Sequence, residues 1–140
     1  CEIVHALLKE LSCRHRQRVA NRREQSWRKC VCLITFDNHF EGCASALRKI
    51  EEGDGNLLDN SLVFGTSDVS NGKLHSPHEY PIVLGGSAGG KIRTGLHVRT
   101  VANENTSKVL HSICTAFGMN ISEFGEAEGL VQEGLSEIEV

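Results

Sequence analysis

The chain has 140 residues, of which 39% are hydrophobic and 24% charged, and its formal net charge is −3. This length and composition fit one globular domain of ordinary size that can bury a core. No run approaches the roughly 18 apolar residues of a membrane-spanning helix, and the sequence shows no signal peptide. The sequence therefore predicts no membrane span in this chain.

The first predicted segment, residues 1–39, is basic, rich in cysteine and of uncertain order. Arg14–Lys29 holds seven Arg or Lys residues against one Glu, although the chain as a whole is acidic. Three interpretations of this run stay open: a solvated irregular segment, a disrupted reading frame across residues 12–34, and a contact with nucleic acid. Arginine neutralises phosphate charge, but the run lacks a regular apolar pattern, and nucleic acid is the least favoured of the three.

The second segment, residues 40–125, has the regular patterns of an α/β domain. Its first element is a predicted helix, because apolar residues recur at the spacing of one helix face. The glycines of Gly53-Asp54-Gly55 predict its end. The residues of the apolar stripe are Phe40, Cys43, Ala44, Leu47 and Ile50.

Two short apolar runs, Ser61–Thr66 and Pro81–Leu84, predict strands. The polar loop between them carries Asp68, His75 and His78. If the two strands are parallel neighbours, Asp68 and His75 lie in the crevice beyond the strand ends, where open α/β sheets bind ligands. Carboxylate and imidazole groups can hold a divalent metal, zinc or calcium, although each residue can also serve as an ordinary loop or capping residue.

The remainder of the chain predicts a glycine turn at residues 85–90, two short strands and a helix. The strands are expected at Lys91–Thr94 and His97–Val101. The helix is expected at Thr106–Phe117, with Asn105 or Thr106 as its cap and Gly118 after its last turn. Residues 126–140 form the third segment, an acidic tail that docks lightly or stays mobile.

The run GTSDVSNGKLHSPHEYPIVLGGSAGGKIRTGLHVR, together with NTSKVLHSICTAFGMNISEFG and the ending GLSEIEV, resembles the C-terminal part of the HXXSHH-motif family. This is a bacterial family built on a domain of unknown function. The likeness covers roughly Phe40 to Val140. The motif that names the family is not reproduced near His5–His15, so no role for that motif is carried over to this chain.

A second resemblance concerns the strand end. A hydrophobic strand that ends in TSD, followed by a His, a Pro and another strand, is similar to the C-terminal metal motif of sulfatases and alkaline-phosphatase-like hydrolases. In this likeness Asp68 and His75 match metal ligands, whereas Val69 stands where a further His ligand is expected. The implied fold is α/β, a fragment of an alkaline-phosphatase-like sheet flanked by helices.

The resemblances imply the C-terminal part of an exported domain, periplasmic or secreted, with a degenerate metal site held by Asp68, His75 and His78. The expected partner is the missing N-terminal part of the same domain. Two alternatives stay open: a fragment of a metal-dependent phosphate- or sulfate-ester hydrolase, inactive by itself, and a non-enzymatic module that binds polyanions. No catalytic residue and no organic cofactor is predicted.

Overall fold

A computed structural model of the chain describes residues 31–35, 39–67, 69–76, 78–79, 81–100 and 104–140. The predicted basic run, Arg14–Lys29, and the predicted metal ligand Asp68 lie outside these residues. In chain order, the elements are β1 (Val31–Thr35), α1 (His39–Arg48), β2 (Glu51–Glu52), β3 (Gly55–Asn56), β4 (Leu62–Thr66), β5 (Ile82–Gly85), α2 (Ser107–Ala116) and a 3₁₀ turn (Ala127–Gly129).

The main sheet has three strands in the order β1-β4-β5. β4 is the central strand, parallel to β1, with Thr35 paired to Thr66. It is antiparallel to β5, with Thr66 paired to Ile82. The crevice predicted from parallel neighbours therefore cannot form between β4 and β5, but β1 supplies β4 with a parallel neighbour. β1 is not among the predicted elements, and β2 and β3 form a separate two-stranded antiparallel sheet.

The two helices lie on opposite faces of the main sheet. Successive strand residues point to opposite faces, so Leu62 and Phe64 share the face that packs against Ile113 of α2. Val63 and Gly65 lie on the other face, where the ring of Phe40 from α1 contacts the sheet. Both faces of β4 are covered, and residues 61–65 are all buried. A strand buried on both faces reads as a continuous apolar run, which is why its sequence does not alternate.

Phe40 packs against a place on the sheet where two glycines leave space. A Cβ built on Gly65 would lie 2.8 Å from Cδ2 of this ring, and a Cβ built on Gly85 would lie 3.1 Å from its Cζ. Val63 pairs with Gly85 in the antiparallel register, so the two glycines are diagonal neighbours on one face. The aromatic ring thus fills the volume that two side chains would otherwise take.

Helix α2 is capped much as its sequence predicts. Ser107 donates its backbone N–H to Oδ1 of Asn105 at 3.0 Å, which satisfies one of the free donors of the first turn. At the other end, Gly118 takes a φ of 79° and Met119 donates to the carbonyl of Cys114 at 3.0 Å. This pattern ends the helix with a left-handed glycine. The helix expected from residue 106 to residue 117 is confirmed within one residue at each end.

The acidic tail packs onto the rest of the domain. Val131, Leu135 and Ile138 are buried. Arg93 donates its backbone N–H to the carbonyl of Ile138 at 2.8 Å, and Val140 donates to the carbonyl of Lys91 at 3.3 Å. These bonds attach the end of the tail to the segment that follows the glycine turn.

Two short strands were expected between Lys91 and Val101, and the structure contains neither within residues 91–100. Ile92 forms an isolated bridge with Glu139, and the residues that follow it are mostly exposed. The tail, rather than a neighbouring strand, supplies the backbone partner at this position. The predicted strand at Ser61–Thr66 is confirmed as β4, and the one at Pro81–Leu84 as β5.

The mixed α/β class, with helices on the faces of the sheet, agrees with the sequence. The closer likeness to an alkaline-phosphatase-like sheet stays a prediction. Each of the two α-helices described has 10 residues. Neither is long and apolar enough to cross a membrane.

Candidate functional site

The candidate site begins at the carboxyl end of β4. The hydroxyl of Thr66 donates to the carbonyl of Pro81 at 3.1 Å and lies 3.2 Å from the carbonyl of Ser67. Thr66 is the last residue of β4, and Pro81 comes just before β5. The hydroxyl therefore joins the two ends of the intervening loop, which holds the predicted ligands.

The middle of this loop is a small hairpin. Ser70 donates its backbone N–H to the carbonyl of Ser76 at 2.8 Å. At the tip, Oδ1 of Asn71 accepts from the backbone N–H groups of Lys73 at 3.1 Å and Leu74 at 3.2 Å. An Asn side chain that accepts from backbone two residues on is typical of a tight turn. His75, the last residue of this turn, has a φ of 51°, a conformation that is uncommon outside Gly but in which Asn, Asp and His are enriched.

The structure places both predicted histidines on the surface. His75 lies at the hairpin tip, and His78 lies beyond it, with its backbone N–H donating to Oγ of Ser76 at 3.3 Å. In the described residues neither imidazole ring makes a hydrogen bond or an ion pair. Both rings are therefore open to a ligand from solvent.

A complete metal site cannot be assembled from the described residues alone. Among them, no three His, Cys, Asp or Glu side chains converge closely enough to hold an ion. Glu79, the nearest carboxylate along the chain, is instead paired with Arg99 at 2.8 Å. Val69, the residue after Asp68 along the chain, is half-buried and supplies no metal-binding side chain. The predicted set of three metal ligands therefore requires Asp68 in addition to the two histidines.

The parallel pairing of β1 with β4 brings a second strand end to the same edge. Thr35 and Thr66 are register partners and are the last residues of their strands. The carboxyl ends of parallel strands in an α/β sheet are where ligands bind. The loop with the two histidines thus leaves the sheet at the edge where such a site is expected.

No protein-family model, curated protein or solved structure matches the chain. The likeness to the HXXSHH-motif family therefore rests on the residues quoted for it.

A third histidine lies away from this loop, on the buried face of α2. His111 of α2 is 8% exposed, and neither ring nitrogen has a hydrogen-bond partner among the described residues. Ser107 and Cys114 lie at the preceding and following turns of the same buried face. Burial raises the pKa of the Cys114 thiol to about 11, so this group stays protonated and weakly nucleophilic at neutral pH.

Proposed function

We propose that the chain is the C-terminal part of an exported, HXXSHH-like α/β domain, and that it contributes to a divalent-metal site. The site lies beyond the carboxyl end of β4, with Asp68, His75 and His78 as its ligands. The observation that carries the proposal is the parallel pairing of β1 and β4, which gives this edge the topology of a ligand-binding crevice. Export and family rest on the sequence likeness.

The donor set favours zinc over calcium. Two imidazoles and one carboxylate are ligands that zinc accepts, and three protein ligands leave its fourth position for water or substrate. Calcium prefers six to eight oxygen ligands, which a site with two histidines does not supply. A zinc ion bound there would act as a Lewis acid toward an ester or a bound water.

The chain's own residues support such a site in two ways. Neither imidazole is engaged in the described part of the chain, so binding a metal breaks no bond within the protein. The Thr66 hydroxyl holds the loop ends together, and Asn71 fixes the hairpin tip. A partly ordered loop loses less conformational entropy when it closes around an ion than a fully flexible loop does.

The proposal is tested by following the histidine ring resonances in NMR spectra while ZnCl₂ is added. The full chain also has six cysteines, so total zinc stoichiometry is not diagnostic and a signal specific to each residue is required. His75→Asn and His78→Ala remove one ligand each, and Asn suits the left-handed conformation at residue 75. His97→Ala, at another exposed histidine, is the matched control.

We expect the His75 and His78 resonances to shift together, and each loop variant to weaken the response of the remaining ring by at least about tenfold, or roughly 1.4 kcal/mol. His97→Ala should leave both responses unchanged. Independent shifts of His75 and His78, or no change in either variant, would contradict a shared site. Asp68→Asn should weaken the same response if the carboxylate completes the ligand set.

A further inference from the structure

A cavity of about 320 Å³ lies at the opposite end of β4 from the histidine loop. Leu58 and Asp59, which precede β4, form one wall, and Gly86 and Ser87, which follow β5, form another. Because β4 and β5 are antiparallel, with Val63 paired to Gly85, the start of one strand meets the end of the other. The volume falls at the lower end of the range for small-molecule pockets.

The wall after β5 is held by a dense set of backbone bonds. Gly89 donates to the carbonyl of Asp59 at 2.7 Å, and Ala88 donates to the carbonyl of Ser61 at 3.1 Å. The hydroxyl of Ser87 donates to the same Asp59 carbonyl at 2.8 Å. Gly86 has a φ of 99°, and a Cβ there would come within 2.7 Å of the Leu58 carbonyl oxygen. The backbone of this wall is therefore fixed by contacts within the protein, whereas Arg48, Asp59 and Thr94 are exposed.

Two opposite charges line the cavity without pairing to each other. Arg48, in the last turn of α1, and Asp59 both border it. Within the described residues, the ion pairs are Arg99–Glu79, Lys108–Glu104 and Lys108–Glu133, and Arg48 has none. Asp59 accepts a hydrogen bond from the backbone N–H of Asn56 at 3.0 Å, through Oδ2 only. The guanidinium and the other carboxylate oxygen are both available.

Two neutral groups add hydrogen-bonding capacity. Oδ1 of Asn56 accepts from the backbone N–H of Leu58 at 3.1 Å, which leaves its amide N–H₂ as a donor. The hydroxyl of Thr94 has no hydrogen-bond partner in the described part of the chain. The lining thus offers a guanidinium, an amide and a hydroxyl as donors, and one carboxylate as an acceptor.

We propose that this cavity binds a small zwitterion of the α-amino acid class. Arg48 would bind the carboxylate of the ligand, because the guanidinium fork matches a carboxylate. Asp59 would bind the ammonium group, and Leu58 provides an apolar contact. A simple anion is repelled by Asp59, and a simple cation is repelled by Arg48. A ligand with both charges satisfies both groups, and this site is independent of the metal site proposed at the other end of the sheet.

The test is an NMR titration of the full chain with L-alanine, followed through the backbone amide signals of Ser87 and Thr94. N-acetyl-L-alanine lacks the ammonium group, and L-alaninamide lacks the carboxylate, so the three probes separate the two charges. Arg48→Gln removes the guanidinium but keeps a good helix former. Asp59→Asn removes the charge but keeps an acceptor for the Asn56 N–H. Arg93→Gln, at an exposed arginine outside the cavity lining, is the matched control.

We expect saturable shifts of the amide signals with L-alanine. The affinity for N-acetyl-L-alanine and for L-alaninamide should be at least about tenfold lower, and the Arg48 and Asp59 variants should lose a similar factor in affinity for L-alanine. The Arg93 variant should bind as the unchanged protein does, and well-dispersed spectra will show that the variants are folded. Equal binding of N-acetyl-L-alanine would overturn the proposal in favour of an anion site. The absence of saturable shifts at about 50 mM, far above a dissociation constant of about 1 mM, would also overturn it.

Discussion

Ser112 joins helix α2 to the acidic tail, and its removal should destabilise the whole domain. Its side chain is 1% exposed. The hydroxyl donates to Oε1 of Glu139 at 2.7 Å and accepts from the backbone N–H of Leu135 at 2.8 Å. Ser112→Ala therefore removes a hydrogen bond to a charged group and leaves a buried N–H without an acceptor.

The magnitude follows from these two losses. A buried donor left unsatisfied costs about 1–3 kcal/mol, and a hydrogen bond to a charged group contributes about 1.5–3 kcal/mol. The two effects overlap because they share one hydroxyl, so we expect the free energy of unfolding to fall by about 2–4 kcal/mol. A domain of this size has a total stability of about 5–15 kcal/mol, so the change is readily measured.

Urea unfolding followed by far-ultraviolet circular dichroism gives the difference in free energy. Ser136→Ala is the control, because that hydroxyl is exposed and its bond to Glu137 lies at the surface; it should change stability by less than about 0.5 kcal/mol. Hydrogen exchange at the Leu135 amide should accelerate only in the Ser112 variant. If the two serine variants lose the same stability, the Ser112 hydroxyl does not hold the tail.

Three further predictions concern separate parts of the domain. Gly42 lies within α1, and a Cβ added there meets nothing within 4 Å. Gly42→Ala should therefore raise the free energy of unfolding by about 0.5–1 kcal/mol in the same urea assay. A lower free energy of unfolding would contradict an open helix surface at this position. Burial raises the pKa of the Cys114 thiol to about 11, so Cys114 should react with iodoacetamide at pH 8 only after unfolding. Peptide mass mapping of the labelled protein measures this, and rapid labelling of Cys114 in the folded protein would contradict its burial. The hydrogen bond from Lys108 lowers the pKa of Glu133. The small stabilising effect of this bond is therefore present above the ordinary carboxyl pKa, and it is lost as pH falls through the lowered pKa of Glu133. An NMR titration should find that pKa below its usual range, and back within it in Lys108→Met.

The elements set by local pattern were predicted well from the sequence. Helix α1 was expected from residue 40 to residue 50 and runs from residue 39 to residue 48, and β4 was placed within one residue. The strand β1 was missed, although its sequence VCLIT is a continuous apolar run that could have indicated it. Its basic, cysteine-rich surroundings obscured that signal.

The pairing of distant segments could not be predicted. Whether β5 runs parallel or antiparallel to β4 depends on the path of the intervening loop, and no local pattern encodes that path. At Lys91–Arg93 the backbone partner is the tail, more than 40 residues later, rather than a neighbouring strand. The cavity was missed for the same reason, since Arg48, Asp59 and Ser87 come from three separate parts of the chain.

The histidine loop was only partly accessible to sequence reasoning. The sequence indicated a polar loop between two strands, and the structure places His75 and His78 on that loop. The hydroxyl of Thr66 that closes the loop was not anticipated, because a bond across 15 residues leaves no signal in a local window. The contribution of Asp68 stays a prediction.

The fit of Phe40 against Gly65 and Gly85 has a consequence for how the sequence can evolve. A methyl group at Gly65 would collide with the ring, and one at Gly85 would crowd it, so alanine at either position requires the phenyl group to shift. If a smaller side chain replaced Phe40, the lost volume could be restored by alanine at one of the glycines, and the two harmful changes would partly compensate each other. Among descendants of this sequence, these three positions should therefore change together rather than singly, leaving a correlated substitution pattern between the helix and the sheet.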